Sequence, residues 1–329
     1  MIVGPLKNNI QLSIIILLTL CIGLWINAFV FTNHNIAPVS HQEDILYHLF
    51  FDNNMSYISK QIISLLAVLL GAFFVNFLTI SQEITSKTNY LPSFFYILFA
   101  FSSTTTNTIE PILIANLFVL PSLYYLMNSY REDQALSEFF KAGLFMGLAS
   151  FFYIHYMYLF PICIVALMIL RAFNWREWTV LMIGLIAPLY LYLCISYLTN
   201  NSIYDELELM SNTLTNFKKP LVSEYYLGLL FILVMLFVFA IFFYFNKGFG
   251  SKIKTQKTKY ILLWMLLACF VMVFFEQSTE ILLLPCIVPL SIIIGDYLAE
   301  VKQLKIANTL LVLFMGGFVI VYLHILGVI

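Results

Sequence analysis

Lys247 to Lys259 reads KGFGSKIKTQKTK, five lysines held between an apolar run that ends near Asn246 and another that opens at Tyr260. Lysine is kept on the cytoplasmic side of spanning segments, so this loop fixes the membrane face on which its flanking helices end. Working outward from it, runs of about 20 apolar residues alternate with short polar connections, as spanning helices require. They fall at about 10–32, 60–80, 91–104, 111–128, 139–154, 156–173, 179–199, 225–246, 260–276, 281–298 and 306–327. With the N-terminus inside, thirteen of the sixteen lysines and arginines lie on the cytoplasmic side, and only Lys60, Lys218 and Lys219 lie outside. One span miscounted before Lys247 would scramble that bias. Segments 91–104 and 139–154 are short for a full crossing.

Composition points the same way. Of 329 residues, 62% are hydrophobic and 10% charged, where a soluble protein keeps roughly 25% charged to cover its surface. The sequence therefore predicts an all-α, polytopic membrane protein of about eleven transmembrane helices, N-in and C-out, in one integral membrane domain over residues 1–329. The run from Ile10 to Phe31 is long for the core of a signal peptide and has no small-residue cleavage site after it, so a retained first span is expected. Cys21, Cys163, Cys194, Cys269 and Cys286 all fall in apolar runs without a C-x-x-C pair, which reads as buried thiols. Net charge is −1 and topology accounts for the lysines, so membrane lipid is an expected partner and nucleic acid is not. The sequence has no P-loop, no Rossmann glycines, no HExxH and no nucleophile elbow, which argues against an ATPase, a zincin or a familiar serine hydrolase.

Ten of the seventeen acidic residues fall on the outer side, and they concentrate interest there. Ser40 to Phe51, SHQEDILYHLFF, follows the first span. Ser40 and Glu43 fit a capping box that opens a short helix, which gives Glu43 a structural duty. Ile45, Leu46, Leu49 and Phe50 then make an apolar stripe suited to lying along the interface. His41, Asp44 and His48 stand at i, i+3 and i+7 on another face. Asp44 can serve as a general base or hold a divalent metal ion, and His41 and His48 could join it as ligands.

Glu110 precedes Pro111 at the outer start of the fourth span, a stable helix opening as well as a second carboxylate. Asn116, further into that span, suits an interhelical hydrogen bond or a ligand contact. His155 sits in the outer turn FYIHYMY, where Tyr153, Tyr156 and Tyr158 read as an interfacial aromatic belt. Glu276 and Glu280 cap another outer turn. The connection NWREW, 174–178, reads as interfacial anchoring on the cytoplasmic side.

From Asn89 to Tyr197 the blocks NYLPSFFYILFAFS, EPILIANLFVLPSLYYLM, FFKAGLFMGLASFFYIHYMYLFPICIVALMIL and WREWTVLMIGLIAPLYLY occur in an order that resembles the membrane core of type-C (GT-C) glycosyltransferases. That resemblance implies a GT-C-like core over 1–199 with an outer loop at 33–59, followed by a four-helix extension over 200–329 with an outer loop at 199–224. It also implies an outer-face transfer of sugar from a polyprenyl-phosphate carrier. Asp44 and Glu110 would be the catalytic carboxylates, and Glu43, His155 and Asn116 would contact substrate, with His155 at the place of a basic phosphate ligand. The whole chain also resembles an uncharacterised family of multi-pass bacterial inner-membrane proteins that carries the NYLP, LxANLF, AGLxxGLASxFY and NWREW blocks. Fold does not imply function. The competing expectation is a non-catalytic membrane scaffold with envelope-protein partners, and a transporter is weaker because mid-span charges are scarce.

Overall fold

The computed structural model describes residues 10–30, 57–85, 89–103, 111–130, 134–198, 241–244, 252–273 and 284–301, with isolated positions at 6, 132, 208, 238–239, 308–309 and 311–312. Among them every regular element is a helix, as predicted. In chain order these are α1 (Ile10–Val30), α2 (Tyr57–Ser81), α3 (Leu91–Ser103), α4 (Pro111–Asn128) and α5 (Leu136–Phe152), then a 3-10 turn (Ile154–Leu159), α6 (Phe160–Leu170) and α7 (Trp175–Leu198), then α8 (Ile253–Val273), a second 3-10 turn (Leu284–Cys286) and α9 (Ile287–Glu300).

Three of them, α2, α4 and α7, are long and apolar enough to cross a membrane. At 13 and 11 residues, α3 and α6 fall short of the roughly 17–25 residues that a crossing takes. The count of eleven crossings is therefore met only in part, and the runs predicted at 225–246 and 306–327 lie largely outside the described residues.

α3 is the short apolar run enclosed most completely. Every residue from Leu91 to Ala100 is buried, and a helix that is hydrophobic on all sides belongs in an interior. The NYLP block is its start signal: Asn89 Oδ1 accepts the Leu91 N–H at 3.2 Å, and Pro92 lacks a donor that the first turn could not pair. α3 is wedged between α2 and α9. Ser93 Oγ donates to the Ala72 carbonyl of α2 at 2.7 Å. On the other side, a Cβ at Gly295 of α9 would stand 2.6 Å from the Pro92 nitrogen, so only glycine allows that approach.

The α5–α7 pair is built on the same device. Gly143 and Gly147 face α7, and Gly184 faces α5, each against the other helix's backbone. Small residues spaced four apart let apolar helices touch backbone to backbone. The sequence predicts one helix over 139–154 and another over 156–173. Instead Tyr153 is extended (φ −144°), a 3-10 turn follows, and Pro161 sits in the first turn of α6.

The bundle has two distinguishable ends. Arg171, just past α6, donates to the Ser129 carbonyl just past α4, so the C-terminal ends of α4 and α6 lie together. Lys257 of α8 donates to the Leu170 carbonyl at the same place, at 3.0 Å. We call this the lysine end. The N-terminal end of α4 and the 154–159 turn mark the other.

Candidate functional site

At that other end, the turn 154–159 is held against α4 and the second 3-10 turn by one amide. Asn116 Oδ1 accepts the Tyr156 hydroxyl at 2.7 Å, and Asn116 Nδ2 donates to the Leu284 carbonyl at 3.2 Å. Both side chains are buried. A buried amide with both ends used is a strut, and a hydrogen bond left unmade there would be costly. The sequence places Tyr156 in an interfacial belt; it is instead inside the bundle, with Tyr153 also buried and only Tyr158 partly exposed.

The strut presents His155. Its ring lies 5.2 Å from the Tyr153 ring and 6.3 Å from that of Tyr158, partly exposed between them. Its Nδ1 is buried and has no hydrogen-bond partner among the described residues. A lone imidazole nitrogen beside two aromatic rings can receive a proton, donate to an anion or bind a cation. Pro111 opens α4 at this same end, as the sequence predicts.

Of the residues predicted to form a site, His155 and Asn116 are thus brought to one end of the bundle through Tyr156. Glu43, Asp44, His41, His48 and Glu110 lie outside the described residues, as do Glu276 and Glu280. Among the described residues no group of three His, Cys, Asp or Glu side chains could hold a metal ion. Cys21, Cys163, Cys269 and Cys286 are buried free thiols, and Cys194 is partly buried.

The lysine end holds what the sequence did not single out. Lys259 Nζ lies 2.7 Å from Asp296 Oδ2, with the two side chains 3% and 0% exposed. Arg171 Nε lies 3.2 Å from Glu177 Oε1, a carboxylate with 4% exposure. The sequence carries a signal for the first pair: Asp296 follows Gly295 inside the apolar run IVPLSIIIGDYLAE, whose other acid, Glu300, closes it. An ionisable residue within such a run marks a site by default.

No curated protein and no solved structure matches the chain. A family model matches it over residues 43–328, and the chain belongs to that family, DUF6427, a family of unknown function.

Proposed function

We propose that this DUF6427 protein is an integral membrane protein that acts, at its His155 end, on a phosphate carried by a polyprenyl lipid, transferring a sugar from it as GT-C enzymes do. The single observation that carries this reading is the buried Nδ1 of His155, which has no hydrogen-bond partner among the described residues and is presented by the Asn116–Tyr156 strut. Burial holds the His155 imidazole below its ordinary value, and a lipid phosphate placed at that nitrogen would favour the protonated ring, because low-dielectric surroundings strengthen the attraction. Asp44 would act as base or metal-holding carboxylate and Glu110, one residue before α4, as the second carboxylate. The lysine run favours a cytoplasmic lysine end, which turns the His155 end outward, as expected of the bacterial inner membrane. A non-catalytic scaffold for envelope partners is the second reading, favoured by the full use of both Asn116 amide atoms inside the bundle.

The test is purification of the full chain in mild detergent, with mass spectrometry of co-purifying polyprenyl phosphates. Wild-type protein should carry them, and His155→Ala should carry about tenfold less, the loss expected when one charge-assisted contact is removed. Asp44→Asn should retain the lipid and abolish sugar transfer. Wild-type protein free of polyprenyl phosphate would favour the scaffold.

A further inference from the structure

Three ionisable groups sit together inside the lysine end, two of them acids and one a base. Lys259 Nζ is 2.7 Å from Asp296 Oδ2 and 3.9 Å from Glu300 Oε1. Exposure is graded along this line: Asp296 has none, while Glu300, at the end of α9, keeps 24%. The buried Tyr244 ring lies 5.2 Å beneath the ammonium. With all three charged, these groups sum to one negative charge, and Asp296 carries its share wholly out of water, which low-dielectric surroundings make costly. The Tyr244 hydroxyl lies within hydrogen-bonding reach of the Asp296 carboxylate.

We propose that Asp296, Glu300 and Lys259 form a binding site for one proton, reached from the lysine end past Glu300. The proton arrives from water, sits on Asp296 and leaves by the same way, so no other bond forms or breaks. Asp296 and Glu300 are one helical turn apart on α9, on the same face. When Asp296 is protonated, the Lys259 ammonium passes to Glu300, and the cluster becomes neutral. Because Lys259 belongs to α8, occupancy by the proton changes the tie between α8 and α9. Among the described residues, the other groups facing this site are as follows. Tyr244 is a neutral neighbour of both acids, α3 has no charged residue, and Glu83 beyond α2 is already paired with Lys252.

Infrared difference spectra of the purified full chain, recorded while pH is lowered, test this directly. A protonated-carboxyl C=O band should appear in wild type and be missing in Asp296→Asn. In Glu300→Gln the charge excess is gone, so the band should appear about one pH unit or more further to acid. In Lys259→Met the acid has lost its cation, and the band should be present throughout. If Asp296→Asn does not fold, Glu300→Gln decides, since its side chain lies at the accessible end of the helix. A band that survives in Asp296→Asn, or a titration unmoved in Glu300→Gln, overturns the proposal.

Discussion

At the His155 end, α4 is joined to the 154–159 turn and to the second 3-10 turn by neutral hydrogen bonds through Asn116. At the lysine end the fastenings are charged: Lys252 to Glu83, Lys259 to Asp296, Arg171 to Glu177, and Lys257 onto the Leu170 carbonyl. The difference separates two uses of polar residues in an apolar chain. Neutral bonds hold a shape and leave an imidazole nitrogen without a hydrogen-bond partner among the described residues. Charged bonds consume their own donors, and Lys252, Lys257 and Lys259 each tie α8 to a different neighbour. A basic run that orients a protein in a membrane also serves as a three-way clasp, because its spacing of five and two residues turns successive lysines to different faces.

The largest effect should come from breaking the charged end where it is deepest. Asp296→Ala leaves the buried Lys259 ammonium to the more distant Glu300 carboxylate, and removing one partner of a buried pair costs up to about 3–5 kcal/mol. Thermal unfolding in detergent should show it as a large fall in Tm. The double variant Asp296→Leu with Lys259→Met should recover most of the loss, since apolar groups of similar volume often replace buried pairs without penalty. Failure to recover would mean that the pair is more than a local tie.

The neutral end should respond less. Asn116→Leu removes both hydrogen bonds and leaves the Tyr156 hydroxyl and the Leu284 carbonyl buried without them, at about 2 kcal/mol. Adding Tyr156→Phe should return part of that loss by deleting one stranded group. A Tm fall as large as that of Asp296→Ala would erase the contrast between the ends.

How much of this is legible in the sequence follows the same division. Helix content, the start of α4 at Pro111 and the start of α3 after Asn89 are readable, because capping residues and prolines act locally. Asn116 is readable as an interhelical bond, but not its partners, which lie 40 and 168 residues away. α3 is readable as an apolar helix short for a crossing, but hydropathy cannot distinguish a helix surrounded by lipid from one surrounded by other helices. Asp296 is readable as an ionisable residue inside an apolar run, but its pairing with Lys259 of α8 is not. Its burial depends on α3 and α8 closing around α9, and that is a property of packing.

The smallest effect lies at Glu83, where the charged end meets solvent. α2 ends in a Schellman motif: the Glu83 N–H bonds the Ile80 carbonyl and the Ile84 N–H bonds the Thr79 carbonyl. This places Glu83 in the left-handed region (φ 51°), where glycine is the usual residue. Its carboxylate pairs with Lys252, and its carbonyl accepts the Thr255 hydroxyl at 3.2 Å. The hydrogen bond from Lys252, and then its charge, hold the Glu83 carboxyl below its ordinary value of 4.5. A carboxyl depressed in the folded state stabilises it fully above the unfolded value, and that contribution is lost as pH falls through the lower folded value. The pair is exposed, so added salt should weaken it. Glu83→Gln should therefore flatten a shallow acid limb in Tm against pH, and Glu83→Gly should flatten it while raising the plateau, because the backbone strain is relieved. If Glu83→Gly lowers the plateau instead, the tie from α2 to α8 outweighs the strain, and even the solvent edge of the lysine end is held by its charges.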